Sequence, residues 1–298
     1  MGFRIGLVGA GRMGRTHLAA LSGSSEVVVT GIVEPYPSPA LSGAPVFATM
    51  DELLAAVEID AALIAVPTDQ HVAVLGQVMA AGLPVLCEKP CGLTVAEATE
   101  CASIAERAGL TLQVAYWRRF VPELVALRSR IRGGELGEIL AVNCSQWDLA
   151  PPSEAFRGSS GGILADMGVH EFDQTRWLTG QEFLRLHAAR SGSAVGDDPD
   201  CAQVVAELDG GSTAMISLGR WHPAGDSVKV EVFGTKGTAS CWFLQPVGGE
   251  AAFHQALRLQ AEDFARLVRT GEGHGAGPAD AIAALKAAQS CQHSVANP

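Results

Sequence analysis

Three short stretches of this sequence carry residues whose types and spacing can do chemistry. The first is Gly9-Ala10-Gly11-Arg12-Met13-Gly14, with Glu34 twenty residues beyond its last glycine. Between a strand and a helix, the first glycine makes a tight turn and the second lets a pyrophosphate approach the backbone. The third lets helix and strand pack closely. The helix start then offers unpaired N–H groups to the phosphates, with Arg12 and Met13 as loop contacts. A carboxylate at Glu34 would accept hydrogen bonds from the adenosine ribose and repel a 2′-phosphate. No arginine follows Glu34 before Arg107, so NAD is the expected cofactor and NADP the less favoured one. A glycine-rich turn without a ligand is the plainer reading, and the acid at this distance argues against it. The second stretch is Cys87-Glu88-Lys89-Pro90, directly after an apolar run. A lysine at a strand's carboxyl end can hydrogen-bond a substrate hydroxyl and favour loss of its proton, although a solvated lysine would look the same. The third is Asp166 and His170, four apart and therefore on one face of a helix, with Asp173 three further on. A histidine beside a carboxylate can accept an alcohol proton while hydride leaves the same carbon. A capped helix with a satisfied histidine is the alternative. The spacing offers at most three ligands, so no metal site is expected.

These groups need elements to hold them. Phe3–Val8, Val27–Val33, Ala61–Val66, Val85–Cys87 and Thr111–Ala115 read as strands, alternating with helices at Met13–Leu21, Met50–Ala56, His71–Ala80 and Val95–Ala108. Such alternation implies right-handed crossovers and a doubly wound parallel sheet buried on both faces. Three prolines in Glu34-Pro35-Tyr36-Pro37-Ser38-Pro39 predict a loop where a crossover helix would be expected. Beyond Phe120 the pattern changes. After a helix at Glu123–Arg132, six strands follow at Ile139–Gln146, Leu184–Arg190, Ala202–Leu208, Ser212–Leu218, Ser227–Phe233 and Thr238–Phe243. Asp209-Gly210-Gly211 marks a hairpin among them. One helix, Met167–Leu178, interrupts this run, and Ala251–Arg269 and Ala279–His293 close it. The expected fold is an α/β Rossmann-type domain over residues 1–118, then an α+β domain over 119–298 with a large, mostly antiparallel open sheet. The last helix is expected to pack back on the first domain.

Composition excludes several functions. At about 150 residues per domain, 298 residues suit two domains. A formal net charge of −11 argues against a general nucleic-acid binder. The mean hydropathy of +0.20 is high, but no run approaches the roughly 18 apolar residues of a membrane span. The opening Met1-Gly2-Phe3-Arg4-Ile5 has none of the regions of a signal peptide. Seven cysteines without a C-x-x-C pair suggest neither a disulfide framework nor a zinc cage. A cytoplasmic protein with reduced thiols is expected.

Taken together, the motifs resemble the Gfo/Idh/MocA oxidoreductases. Besides Gly9–Gly14, the resemblance rests on Pro67-Thr68-Asp69-Gln70-His71, Glu88-Lys89-Pro90 and Tyr116-Trp117-Arg118-Arg119-Phe120. It also rests on the segment from Ser160-Gly161-Gly162 through Asp166-Met167-Gly168-Val169-His170 to Asp173. It implies Lys89, Asp166 and His170 as the catalytic set, a nicotinamide near Lys89-Pro90, and a cis peptide before Pro90. Pro67, Thr68, His71 and Glu88 are read as further cofactor contacts, and His17 as structural. Asp148-Leu149-Ala150-Pro151-Pro152 followed by the Ser-Gly-Gly segment looks most like the inositol 2-dehydrogenase branch. Two departures from that branch suggest a different polyol or sugar. Trp117 stands where an asparagine is usual, and Gly219-Arg220-Trp221-His222-Pro223 lacks an expected tyrosine.

Trp147 and Trp221 could stack on a sugar ring, and Trp117, Arg118 and Asp173 complete the expected substrate contacts. The resulting expectation is an NAD-dependent dehydrogenase of a cyclic polyol or pyranose, without nucleic-acid or membrane partners. An open sheet face predicts a homodimer or homotetramer. The rival readings are a non-catalytic NAD- or sugar-sensing protein, and lyase or glycosidase chemistry with transient NAD redox.

Overall fold

The computed structural model describes residues 2–36, 41, 43–194 and 196–293. Of the expected proline loop, Pro37, Ser38 and Pro39 lie outside the described residues, while Glu34, Pro35 and Tyr36 are non-helical. The chain forms two compact units. One is Met1–Trp117 with His254–Ala281, and the other is Arg118–Phe253 with Ile282–Pro298.

The first unit is built on β1 (Phe3–Val8), α1 (Arg12–Leu21), β2 (Val27–Val33), β3 (Val46–Phe47) and α2 (Met50–Ala56). It continues through β4 (Ala61–Ile64), α3 (His71–Ala80), β5 (Val85–Cys87), α4 (Val95–Ala108) and β6 (Leu112–Val114). The sheet order is β3-β2-β1-β4-β5-β6, and every pair is parallel. Ile5, Leu7, Ile32, Leu63, Ile64 and Leu86 are fully buried, as continuous apolar strands covered on both faces require. The order reverses between β1 and β4, and the carboxyl ends of strands at such a switch point are where doubly wound sheets bind ligands. The sequence pattern did not reveal β3. Its two residues pair with Ile32 and Val33 and are too short to show any period. At the other end of the unit's sequence, Thr94 and Glu97 form a reciprocal capping box on α4, and Gly109 closes that helix at φ +65°.

The expected division ran the second domain unbroken to the chain end. Instead, the returning segment is His254–Ala281 rather than the last helix. Ala261, Phe264 and Ala265 join the core around Phe3 and Leu7, with the Phe3 and Phe264 rings edge-on at 6.3 Å. Ala276 extends the contact by bridging to Val114. Burial of this apolar face, about 1.5–3 kcal/mol for a side chain such as Phe264, is reason enough for the return.

The second unit contains α5 (Pro122–Arg132), β7 (Ile139–Trp147), α6 (Glu154–Ser159) and a π-turn (Leu164–Gly168) that runs into α7 (Val169–Thr179). Its sheet is completed by β8 (Phe183–Arg190), β9 (Cys201–Leu208), β10 (Thr213–Gly219), β11 (Ser227–Gly234) and β12 (Gly237–Leu244). After these come α8 (Gly249–Thr270), most of which belongs to the first unit, and α9 (Pro278–His293). The order is β12-β11-β7-β10-β9-β8, antiparallel except for the β7–β10 pair. One face is buried: Ala202, Val204, Ala206 and Leu208 alternate with exposed Gln203, Val205 and Glu207. The expected hairpin is present, with Gly211 at φ +86° and its N–H donating to the Leu208 carbonyl at 3.0 Å. Helix α7 packs on β7 and α5, and Phe172 meets Phe183 edge-on at 5.5 Å.

Candidate functional site

The glycine loop shows three different reasons for three glycines. Gly9 has φ +92°, and a Cβ there would lie 2.8 Å from the backbone of Ala65 and Val66 at the end of the neighbouring strand. A Cβ on Gly14 would collide with the Gly9 carbonyl oxygen, so this glycine lets α1 sit directly on the loop. Around Gly11 there is nothing within 4 Å, and Gly11 caps α1 without any side-chain hydrogen bond. Two glycines are therefore demanded by protein packing, while the middle one faces open space at a helix N-terminus. That is the shape a dinucleotide pyrophosphate needs. Arg12 is exposed and Met13 half-buried at the same turn. Glu34 stands beside them. Its Oε2 accepts the Ala10 N–H at 2.9 Å and its Oε1 accepts the Tyr36 N–H at 3.1 Å. The acid twenty residues from the loop is thus in direct contact with it. These residues fit NAD.

The ends of β4 and β5 form the adjoining wall of the first unit. Thr68–Gln70 make a single 3-10 turn after Pro67 and lead into α3. His71, expected as a cofactor contact, is buried as a brace. One ring nitrogen lies 2.8 Å from the Pro90 carbonyl oxygen and the other 3.0 Å from that of Val66. Glu88 also points inward, with Oε1 2.7 Å from His17 Nε2 and Oε2 accepting the Lys89 N–H at 3.1 Å. His17 lies on α1, so this buried pair ties the helix of the glycine loop to the turn that carries Lys89. Burial pushes the Glu88 carboxyl up, but the His17 contact and the nearby Lys89 charge outweigh it and hold it below the ordinary range. The Lys89–Pro90 peptide is cis, and Lys89 itself is half-buried.

In the second unit the Ser160-Gly161-Gly162 segment has a mechanical role. Both glycines are left-handed, at φ +80° and +82°. Asp198 Oδ1 accepts the Ile163 N–H at 2.9 Å, and a Cβ on Gly162 would come within 2.9 Å of that oxygen. The π-turn that follows carries Asp166, and the first turn of α7 carries His170. The sequence implies an uninterrupted helix here. The observed π-turn is a geometry that is rare in helices and frequent at functional positions.

Other expected contacts turn out differently. Arg118 Nη1 pairs with Glu171 Oε1 at 2.6 Å and Nη2 with Gln146 Oε1 at 2.6 Å, all inside the second unit. Asp173 accepts two hydrogen bonds from Arg119, at 2.9 and 2.5 Å. Both were expected to touch substrate; both are buried, and each faces an opposite charge. A buried charge without such a partner is too costly to keep, so the pairing decides their direction. Trp117 is buried too. Trp147 donates from Nε1 to Ser217 Oγ at 3.2 Å and lies over Gly219, its neighbour across the β7–β10 pair. Trp221 is 52% exposed. Sequence reasoning missed Arg220 and Asp198, which stand next to Asp166. The signals for them were the glycine pair before the helix and the missing tyrosine in Gly219–Pro223.

Comparison with known proteins agrees with this geometry. Residues 3–116 match the model of the GFO/IDH/MocA oxidoreductase family with an NAD-binding Rossmann fold, and residues 124–240 match the GFO/IDH/MocA C-terminal domain. The chain is 47% identical to the rhizopine catabolism protein MocA of Rhizobium meliloti, over 96% of this chain and 93% of that one. It is 30% identical to an inositol 2-dehydrogenase of Rhizobium meliloti (strain 1021), over 99% and 98%. The structure of a myo-inositol dehydrogenase from Corynebacterium glutamicum superposes with a TM-score of 0.89 at 25% identity, covering 99% of this chain and 96% of that one. GenD2 from gentamicin A biosynthesis, in complex with NAD, gives 0.91 at 25% identity, covering 99% and 95%. With both of its units matched and its glycine loop shaped for a dinucleotide, the chain belongs to the Gfo/Idh/MocA oxidoreductase family.

Proposed function

We propose that this protein is an NAD-dependent dehydrogenase that oxidises a secondary alcohol of a cyclic polyol or sugar, of the inositol or pyranose type. The observation that carries the reading is the Asp166 and His170 pair at the start of α7, in a chain that also has a pyrophosphate loop and Lys89 at a strand's carboxyl end. Relatives named as inositol dehydrogenases support the polyol class. Bound NAD supplies the hydride acceptor, held by Gly9–Gly14, Glu34 and the turns around Pro67 and Lys89. His170 takes the proton of the reacting hydroxyl. Lys89 polarises that oxygen and favours its deprotonation. Asp166 orients His170 or the substrate. Of the expected sugar contacts, Trp221 and Trp147 remain the proposed stacking surfaces, with Trp117 as a buried backing residue. The proposed setting is cytoplasmic, the expectation drawn from cysteines without a C-x-x-C pair.

The test is turnover with NAD across inositols and pyranoses. Lys89→Ala and His170→Ala should each lose about 10²–10⁴-fold in rate, as removed acid–base groups do. The double variant should lose less than the product, because the two act on one oxygen. NAD affinity by titration should stay within about threefold if both act on the chemical step alone. Wild-type alcohol oxidation should rise with pH as the base ionises. Full turnover in His170→Ala would overturn its assignment, and product formation without net NADH would favour transient redox.

A further inference from the structure

Three separate parts of the second unit converge on one guanidinium. Arg220 directly follows β10 and is completely buried, at 0% exposure. Its Nη1 lies 2.7 Å from Asp198 Oδ2, and its Nη2 lies 3.7 Å from Asp166 Oδ2. Both contacts are ion pairs set by charge rather than by aligned hydrogen bonds, since none of the three guanidinium nitrogens reaches good hydrogen-bond geometry among the described residues. Asp198 in turn is seated on the segment that carries Asp166, through the Ile163 N–H and the space left by Gly162. The backbone of Arg220 is fixed as well, its N–H donating to the Asp200 carbonyl at 2.9 Å. The Asp200 carboxylate has its own cation, Arg157, at 2.6 Å. Arg220 therefore serves Asp166 and Asp198 and is not drawn off by the third acid.

We propose that Arg220, anchored by Asp198, is a positioning residue that holds the Asp166 carboxylate in place on its π-turn. The inference rests on the reading of Asp166 as part of the catalytic set. A π-turn departs from the regular α-helical hydrogen-bond register, so its side chains depend on tertiary contacts for their direction. Without the guanidinium, Asp166 and Asp198 would lose the cation they share, and like-charge repulsion would bear on the softer segment. The arginine fork can face both acids at once. A lysine ammonium is a single point charge and could favour only one of them.

The experiment compares the wild-type chain with Arg220→Gln, Arg220→Lys, Asp198→Asn and Asp166→Asn. Two readouts are used: NAD-dependent oxidation of an inositol and pyranose panel, and amide hydrogen exchange over residues 160–170. Arg220→Gln should lower kcat by about 10- to 100-fold, as misplacement of a reacting group does. KM for NAD should stay within about twofold if only the chemical step is touched, and Arg220→Lys should recover part of the loss. In an Asp166→Asn background, Arg220→Gln should add little, because its effect runs through Asp166. Exchange over residues 160–170 should quicken in Arg220→Gln and in Asp198→Asn. Should Arg220→Gln fail to fold, Arg220→Lys and Asp198→Asn carry both readouts, since the side-chain amide oxygen introduced by Asp198→Asn can still accept the Ile163 N–H. Unchanged exchange in the folded variants, or an equal kcat loss in both backgrounds, overturns the proposal. Quickened exchange with no wild-type turnover on any polyol upholds the hold on the turn and overturns the catalytic reading instead.

Discussion

Glu34 shows how one side chain can serve structure and recognition together. It holds the glycine loop through the Ala10 N–H and its own turn through the Tyr36 N–H, yet each carboxylate oxygen keeps a second lone pair. Ribose hydroxyls can be received without loss of the loop contacts. A hydrogen bond to a charged group contributes about 1.5–3 kcal/mol, on the order of 10- to 100-fold in affinity. Glu34→Ala should therefore weaken NAD binding and narrow the preference over NADP, read by titrating both cofactors. Tighter binding of NADP by the wild-type chain would refute the assignment. Arg118 and Asp173 show the limit of reading single residues. Their types suit substrate binding equally well, and only Glu171, Gln146 and Arg119 reveal that they face inward.

Between elements, the contact with the clearest consequence is His17 of α1 against Glu88 after β5. It ties the phosphate loop's helix to the backbone of Lys89, and its strength depends on an ionised Glu88. The folded-state pKa of Glu88 is depressed below its ordinary 4.5 because His17 and Lys89 outweigh burial. Its stabilisation is thus complete above that ordinary value and is lost as pH falls through the lower folded value. Asp200 acts in the same sense below its ordinary 3.8, where burial is outweighed by the Ala194 N–H, Arg157 and Trp221. Urea unfolding measured from about pH 6 to about pH 3 should show stability falling less steeply for Glu88→Gln than for wild type. Parallel curves for the two proteins would show that the ionised pair contributes nothing.

For the whole molecule, the second sheet has one face that its own helices leave uncovered. Val205 at 56% exposure and Met215 at 50% are paired across β9 and β10, and Phe233 and Trp242 lie on the same face. Apolar groups set among Thr213, Ser217 and Gln203 form a surface suited to a second copy of itself. We propose that the protein is a homodimer or homotetramer through this face. Static light scattering at micromolar concentration should give at least twice the mass of one chain, and Met215→Glu should reduce it. A monomeric wild-type protein would sink the idea.

The sequence alone determined most of the first unit. Buried parallel strands are continuous apolar runs, and the glycine loop and its acid are set by short spacings. Each of these signals is local. The four-residue interval between Asp166 and His170 was legible too, but not the π-turn that carries Asp166 ahead of α7. Tertiary structure alone decided that β7 lies between β10 and β11, with a parallel pair between strands far apart in the chain. It also decided that His254–Ala281 returns to the first unit. At the site it decided that His71 and Glu88 are braces, that Arg118 and Asp173 face inward, and that Arg220 meets Asp166 and Asp198. A side chain's charge is written at its position, but its partner lies tens of residues away. Which acid a buried guanidinium meets is settled only when the sheet is assembled and every buried charge must find its opposite.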